Sequence, residues 1–460
     1  MPAHPRGRKR STPAKSASGS RGGLAALLGF LDSWEGVLAT FGAVALLTIL
    51  VALFLPFGNG PHWIRPVAPV PAAGSPQFLP LVSNTLTAPI ESGSEPQILN
   101  NGDAFLKALL ADVDGAKQSI NFMAYIWEDG KFSDVLLAHL TRKAKAGIAV
   151  RIALDGYGSI HAPWSKLKDF ERAGGRTTIF HTLMPLPWAM ARDHKRNHRR
   201  AIIIDGRTGY TGGIAVADTW LGNARNPNEW RDMMFRVDGS MAAHLQAAFA
   251  QVWELGTGEI LAGEKFYPAG VSDVTGQQLR YIPFVSSPSA DTFGMENLFL
   301  LSLGAAHRTI HIVSPYFLPD ESLRLMLCGK ARAGVQVRVL LPNHFNDSRW
   351  VRYASQHYYD ELLRCGVRIS EYQPTFIHTK LMVIDGRWSV IGSANMDNRS
   401  RKLNDEIVLG ISDDAFAGTL EKIIDADQSR AAPVVLQQWE QRGTWQRALE
   451  WIALASVQQY

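Results

Sequence analysis

The residues with the most evident chemistry lie between Gln373 and Glu406, in QPTFIHTKLMVIDGRWSVIGSANMDNRSRKLNDE. His378 is followed by Lys380, then Asp385 and, after a turn at Gly392, by Ser393 and Asn395. LMVID, an apolar run bounded by polar residues and glycine, predicts a buried strand. Side chains two apart on an extended chain point the same way, so the imidazole and the ammonium face one space. A phosphate suits that space. Lys380 supplies charge, Ser393, Asn395 and the turn N–H groups supply hydrogen bonds, and His378 can attack phosphorus or carry a proton.

A histidine beside a lysine is often only a surface pair, but here the pattern occurs twice. RNHRRAIIIDGRTGYTGGIAVADTW holds His198, Arg200, Asp205, Thr211, Gly212 and Gly213. The interval from His to Asp is 7 in both copies (198 to 205, 378 to 385), and from His to the first turn glycine it is 14 (198 to 212, 378 to 392). Upstream, GIAVRIALDG answers GVQVRVLLPN and QSINFMAYIW answers RTIHIVSPYF. This is an internal duplication. Each unit reads strand, helix, strand, helix, strand, which predicts an α/β fold of two lobes, each a mostly parallel sheet flanked by helices.

Two histidines on one phosphate permit a double displacement. One attacks phosphorus; the other protonates the leaving alkoxide and then deprotonates the acceptor. Lys and Arg charges stabilise the equatorial oxygens, so this chemistry requires no metal or other cofactor. The copies are not identical: Arg200 stands opposite Lys380, and Ala215 opposite Asn395. A guanidinium is longer, planar and forked, so the expected phosphate clamp is asymmetric, with Thr211 and the glycine N–H groups replacing the missing amide. Gly213 and Gly392 answer backbone demands beside the site.

With EYQPTFIHTK, GSANMDNRSRKLNDE, SPYFLPD and EWRDMMFRV, the doubled motif resembles the phospholipase D superfamily and, within it, the bacterial cardiolipin synthase-like branch, from about Gln97 to the C-terminus. The resemblance implies pseudo-symmetric lobes whose motifs meet in one site. It implies that His198 is the nucleophile and His378 the general acid/base, an order the residues alone leave open. It further implies that Asp232 in NEWRDMM and Glu406 in LNDEI, 34 and 28 residues after the motif histidines, accept from the second ring nitrogens and fix the tautomers. Asp205 and Asp385 complete the motifs and are expected to close strand and turn. Where Arg200 stands, the superfamily pattern has Lys. The reaction implied passes a phosphatidyl group to the hydroxyl of a phosphatidylglycerol, giving cardiolipin and glycerol. Hydrolysis to phosphatidic acid would use the same residues, and Arg200 leaves a weakly active phospholipid-binding protein as another reading.

The rest of the chain must position this chemistry. Residues 1–35 carry Arg6, Arg8, Lys9, Arg10, Lys15 and Arg21, too little apolar surface for a core, and are expected to be disordered. Residues 36–57 lack charge and reach the roughly 20 residues a transmembrane helix needs. Basic residues before that span predict a cytoplasmic N-terminus, with the catalytic part outside the inner membrane. Residues 58–96, rich in Pro, Gly and Ser, read as a tether; 97–276 and 277–433 as the lobes; 434–460 as an amphipathic helical segment that packs on the fold or meets the membrane through its tryptophans. Residues 1–35 hold +4 of the chain's +5 charge, leaving +1 for the remainder, which argues against a nucleic-acid partner. Phospholipid and membrane are the expected partners, and a monomer suffices because one chain holds both motifs. HTLMPLPWAMARDHKRN reads as a loop, either tucked on its lobe or forming an apolar lip, and its prolines argue against a helix pairing His194 with His198 on a metal. Cys328 and Cys365 read as buried apolar residues, with no disulfide expected.

Overall fold

The computed structural model describes residues 33–54, 64–181, 195–269, 278–287 and 293–457. The basic segment up to residue 32 and the proline-containing loop 182–194, His194 included, lie outside the described residues. The chain divides into two compact units, Met1–Gly58 and Asn59–Tyr460. In the first, the uncharged run forms helix α1 (Trp34–Phe54). Its side chains are described as far as Leu47, and among the described residues no helix is long and apolar enough to cross a membrane.

The second unit contains two sheets. One takes β2 (Gln97–Asn100), β3 (Ser119–Ala124), β4 (Ala149–Asp155), β5 (Arg176–Phe180), β7 (Ala201–Ile204), β8 (Thr208–Gly212) and β9 (Met233–Asp238), after β1 (Glu91–Gly93) has joined the other sheet. That other sheet is completed by β10 (Leu279–Ser286), β11 (Thr309–Val313), β12 (Gln336–Pro342), β13 (Arg368–Tyr372), β14 (Leu381–Ile384), β15 (Trp388–Gly392), β16 (Asn404–Ser412) and β17 (Ala431–Pro433). Strand order is β2-β9-β8-β7-β3-β4-β5 in the first and β1-β10-β16-β15-β14-β11-β12-β13-β17 in the second.

Both sheets are mixed rather than mostly parallel. Among the described residues, apart from a two-residue parallel pairing of Arg196–Asn197 on β16, only β3-β4-β5 and β11-β12-β13 pair in parallel within them. These runs are linked by helices α4 (Lys131–Lys145) and α5 (Trp164–Arg172) in lobe one and by α8 (Glu321–Arg332) and the α9–α10 pair (Arg349–His357, Tyr359–Arg364) in lobe two. After them the chain turns back through hairpins, β7-β8 and β14-β15, whose three-residue connections are far too short for a parallel crossover. The turns Asp205-Gly206-Arg207 and Asp385-Gly386-Arg387 announce these hairpins, with positive φ at Asp205 (53°), Gly206 (64°), Asp385 (54°) and Gly386 (63°).

One apolar cluster joins the lobes. It contains Met123, Ile203 and Phe235 from the first sheet, Val313, Leu381, Ile391 and Leu409 from the second, and the inner faces of α6 (Ser240–Thr257) and α12 (Asp414–Gln428). The β3–β7 and β11–β14 registers (Met123↔Ala201, Val313↔Leu381) place each motif histidine, three residues before its strand, at the C-terminal edge of the parallel strands.

Two expectations need correction. The stretch read as a tether is part of the core from Val70 onward: α2 (Phe78–Leu86) buries Phe78, Leu79 and Val82, and the Phe78 ring meets Trp388 edge-on at 5.2 Å. Burying a Phe contributes roughly 1.5–3 kcal/mol, enough to hold so short a helix in place despite its Pro- and Gly-rich surroundings. Cys328 of α8 and Cys365, just after α10, form a disulfide, with Cα atoms 5.2 Å apart. They are buried, and a sequence separation of 37 hid the pairing from a reading of spacing.

Candidate active site

Each motif histidine enters the site on a backbone bond to the other lobe. His198 N–H donates to the Asp405 carbonyl at 2.9 Å, beside a short pairing of β6 (Arg196–Asn197) with Asn404 and Asp405. His378 N–H donates to the Arg231 carbonyl at 2.7 Å, beside a bridge between Arg231 and Ile377. The residue following each carbonyl is the carboxylate that orients the ring. His198 Nδ1 lies 2.9 Å from Glu406 Oε1, and His378 Nδ1 lies 2.6 Å from Asp232 Oδ2. The within-lobe order suggested by sequence distance is therefore exchanged: each lobe supplies the carboxylate for its partner's histidine. Arg231 reinforces the crossing, its guanidinium held by Asp427 of α12 at 2.9 Å and by the Asp232 carbonyl at 2.9 Å.

With Nδ1 donating to a carboxylate, Nε2 keeps its lone pair. At that nitrogen lie the cations: Lys380 Nζ is 3.1 Å from His378 Nε2, and Arg200 Nη1 is 3.1 Å from His198 Nε2. Each also donates to its own histidine's carbonyl, at 2.9 Å and 3.1 Å. Among the described residues, Arg200 Nε and Nη2, Thr211 Oγ1 and Asn395 Oδ1 are buried without a hydrogen-bond partner. Orphaned guanidinium N–H groups beside the His198 imidazole make a receptor for an anion, and a phosphodiester has the oxygens to satisfy them.

Electrostatics fit that reading. Burial, aided by Arg200 and Lys380, overcomes the pull of Glu406 and lowers His198 to about 4. Burial and then Lys380 outweigh Asp232 and lower His378 to about 3. Burial likewise lowers Lys380 to about 7, with Arg200 adding repulsion. Burial opposes ionisation of Asp232 and Glu406, but the facing histidine wins and both are held below the usual carboxylate range. The site thus carries two neutral imidazoles, two carboxylates, the Arg200 guanidinium and, below pH about 7, the Lys380 ammonium, a cation pair that binding an anion would stabilise.

The remaining candidates divide. Ser393 Oγ donates to Glu406 and to the Ile407 carbonyl, so it positions a carboxylate instead of lining an open phosphate cradle. Gly213 makes room for Asp232: a Cβ there would lie 2.1 Å from Oδ1. Gly392, at φ 143°, would put a Cβ 2.3 Å from the Ile407 carbonyl. Asp205 and Asp385 are not brought to the histidines. Asp205 accepts from the N–H groups of Lys117, Gln118 and Ser119, and Asp385 from those of His307, Arg308 and Thr309, fixing the entry to β3 and β11.

Several site residues escaped the sequence. Trp220 and Phe376 approach the His378 ring, with centroids at 5.2 and 5.6 Å, and Trp220 Nε1 donates to Asp232 at 2.9 Å. Tyr125, at the end of β3, meets His198 edge-on at 5.0 Å. Ser400 donates to Glu406 at 2.7 Å. The available signals were adjacency to a motif, for Phe376, Ser400 and Trp220, and position at a strand's C-terminal end, for Tyr125. Trp220 closes the motif-one stretch, 22 residues after His198, as Ser400 follows His378 by 22.

The family model described as "Cardiolipin synthase, PLD-like domain" matches residues 300–428. The chain is 30% identical to cardiolipin synthase A of Serratia proteamaculans over 78% of its own length and 74% of that protein, and 29% identical to cardiolipin synthase 1 of Bacillus anthracis over 79% and 72%. Among solved structures, phosphatidylserine synthase of Haemophilus influenzae superposes with a TM-score of 0.64 at 11% identity, covering 82% of this chain and 96% of that one, a likeness of fold. Two matched motifs meeting across two lobes, and relatives similar over most of their length, identify the chain as a member of the cardiolipin synthase branch of the phospholipase D superfamily.

Proposed function

We propose that this chain is a membrane-anchored phosphatidyltransferase that makes cardiolipin from two phosphatidylglycerol molecules through a phosphohistidine. The observation that carries the reading is the exchanged pair of buried His–carboxylate contacts, His198 with Glu406 and His378 with Asp232, with Arg200 and Lys380 at the free ring nitrogens. In the first step His198 Nε2 attacks phosphorus, a P–N bond forms, the P–O bond to one glycerol breaks, and His378 gives that oxygen a proton. In the second, His378 takes the proton from a hydroxyl of another phosphatidylglycerol, the oxygen attacks phosphorus and the P–N bond breaks. Its low intrinsic basicity fits this cycle, because the bound phosphodiester and the growing alkoxide charge favour the protonated ring. Arg200 and Lys380 hold the equatorial oxygens throughout. A single chain suffices, and neither a metal nor nucleic acid takes part.

The uncharged run at 36–57 and the basic residues before it support an inner-membrane anchor with a cytoplasmic N-terminus. The Cys328–Cys365 disulfide supports a catalytic unit outside the cytoplasm, since disulfides persist in oxidising compartments. Hydrolysis to phosphatidic acid differs only in the acceptor. Mass spectrometry of products from the purified chain in phosphatidylglycerol micelles, with His378→Ala as control, separates the readings. Cardiolipin with equimolar glycerol is expected from the intact protein alone; phosphatidic acid as sole product would make it a hydrolase.

A further inference from the structure

The active-site edge of both lobes carries exposed aromatic and aliphatic side chains. The loop leaving β4 is tied to motif one: Asp155 accepts from Asn197 N–H at 2.9 Å and from Tyr157 N–H at 2.9 Å, and the Tyr157 ring covers the Arg196 guanidinium at 5.4 Å. From this loop Tyr157 and Ile160 project into solvent. In lobe two, β12 ends on the corresponding edge and leads to α9, where Trp350 is exposed. On α9 packs the C-terminal helix α14 (Thr444–Val457), through Val351, Ala354, Leu318 and Ala453, a cluster that also contacts Tyr316; the Tyr316 ring lies 6.5 Å from that of His378. The outer side of α14 exposes Trp445 (73%), Trp451 (68%) and Ile452 (53%).

We infer that these two patches are a bilayer-docking rim around the mouth of the active site, an inference that rests on the phosphatidyltransferase reading. The first patch leaves β4 at the edge where the histidines sit, and α14 packs on Leu318 and α9, which follow β11 and β12 from that same edge, so a protein seated on both would cover the entrance. A bilayer seated on both delivers its headgroups to it. Tryptophan and tyrosine, with an apolar body and a polar N–H or O–H, suit the headgroup level of a membrane. Exposed Arg349 and Arg447, beside Trp350 and Trp445, offer attraction to an anionic lipid surface.

The test uses the full chain reconstituted in phosphatidylglycerol vesicles. Because Cys328 and Cys365 are joined, a single introduced cysteine can be labelled with an environment-sensitive fluorophore. In the reconstituted chain, label at Trp451→Cys is expected to emit well to the blue of its spectrum in water, while label at Lys422→Cys, midway along α12, keeps an aqueous spectrum. In parallel, Trp451→Gln with Ile452→Gln should lower the rate on vesicles by about tenfold or more, since removing large apolar groups from an interface changes partitioning by that order. The same variant should stay within about twofold of wild type on dihexanoyl phosphatidylglycerol below its aggregation threshold. An unshifted spectrum at 451, an equal loss on both substrates, or a change of oligomeric state without a vesicle defect would overturn the rim. A spectral shift in a protein that transfers no phosphatidyl group from either substrate would leave the rim standing and remove the phosphatidyltransferase reading.

Discussion

The two motifs solve one geometric problem with different residues. Motif two pairs a lysine with His378 and places a serine, Ser393, where its hydroxyl holds Glu406; motif one pairs an arginine with His198 and places Gly213 where the absent side chain leaves space for Asp232. Glutamate is longer than aspartate by one methylene, so it can accept from Ser393 and Ser400 and still reach His198, whereas Asp232 must approach the backbone, where Met233 N–H donates to it at 2.8 Å. Pseudo-symmetry here resides in where ring nitrogens and charges fall, not in residue identity. A departure such as Arg200 is therefore read by what its atoms reach.

The largest expected effect tests whether the two halves are equal partners or hold distinct roles. His198→Ala and His378→Ala should each lower phosphatidyl transfer by about 10⁴-fold or more. A substrate with a p-nitrophenol leaving group needs no proton on departure, so His378→Ala should still release one equivalent of nitrophenol in a burst, whereas His198→Ala should release none. A burst from His198→Ala alone would reverse the assignment. The exchanged carboxylates sharpen the same comparison. Asp232→Asn and Glu406→Gln should each cost about 10²–10⁴-fold through the wrong tautomer. The activated leaving group should rescue Asp232→Asn together with His378→Ala, and rescue of Glu406→Gln instead would refute the cross-lobe pairing.

Gly213→Ala should push the Asp232 carboxylate away and lower kcat by roughly 10–100-fold, while Ser393→Ala, which removes one hydrogen bond to Glu406, should cost about 5–10-fold. Steady-state kinetics of the pair would then show the glycine to be the stricter requirement. Lys380 is charged below pH about 7 and neutral above it, so KM for the anionic lipid should rise as pH increases through that value. Lys380→Arg should carry that limb well upward, whereas Arg200→Lys should introduce a second group losing charge in the same range. The smallest effect on chemistry belongs to Asp205→Ala and Asp385→Ala. Each strips three backbone N–H groups of their acceptor and should lower stability by about 2 kcal/mol, visible as a reduced Tm, with the nitrophenol burst retained in the folded fraction.

Much of this was legible because the chemistry and the repeat share one spacing. The intervals around His198 and His378 locate the ring nitrogens, the cations and the strands behind them. Which carboxylate serves which histidine was not legible, since Asp232 and Glu406 each follow the nearer motif in sequence, and only the backbone contacts at Asp405 and Arg231 bring them to the far one. The hairpin turns IDGR were written in the chain, but the alternation of strands and helices upstream favoured a parallel reading. Composition misjudged residues 70–93, where a few apolar side chains amid proline and glycine reach a core supplied from elsewhere. Trp220 illustrates the limit: it closes the stretch that holds His198, yet it arrives beside His378 of the other motif, and only the fold shows that.

The exchange of carboxylates also bears on synthesis. A growing chain that has completed its first lobe presents His198 with no Glu406 to hold the ring, and Asp232 with no histidine to serve. The half-made enzyme is thus unarmed, and it becomes competent only when the last strands have closed on the first.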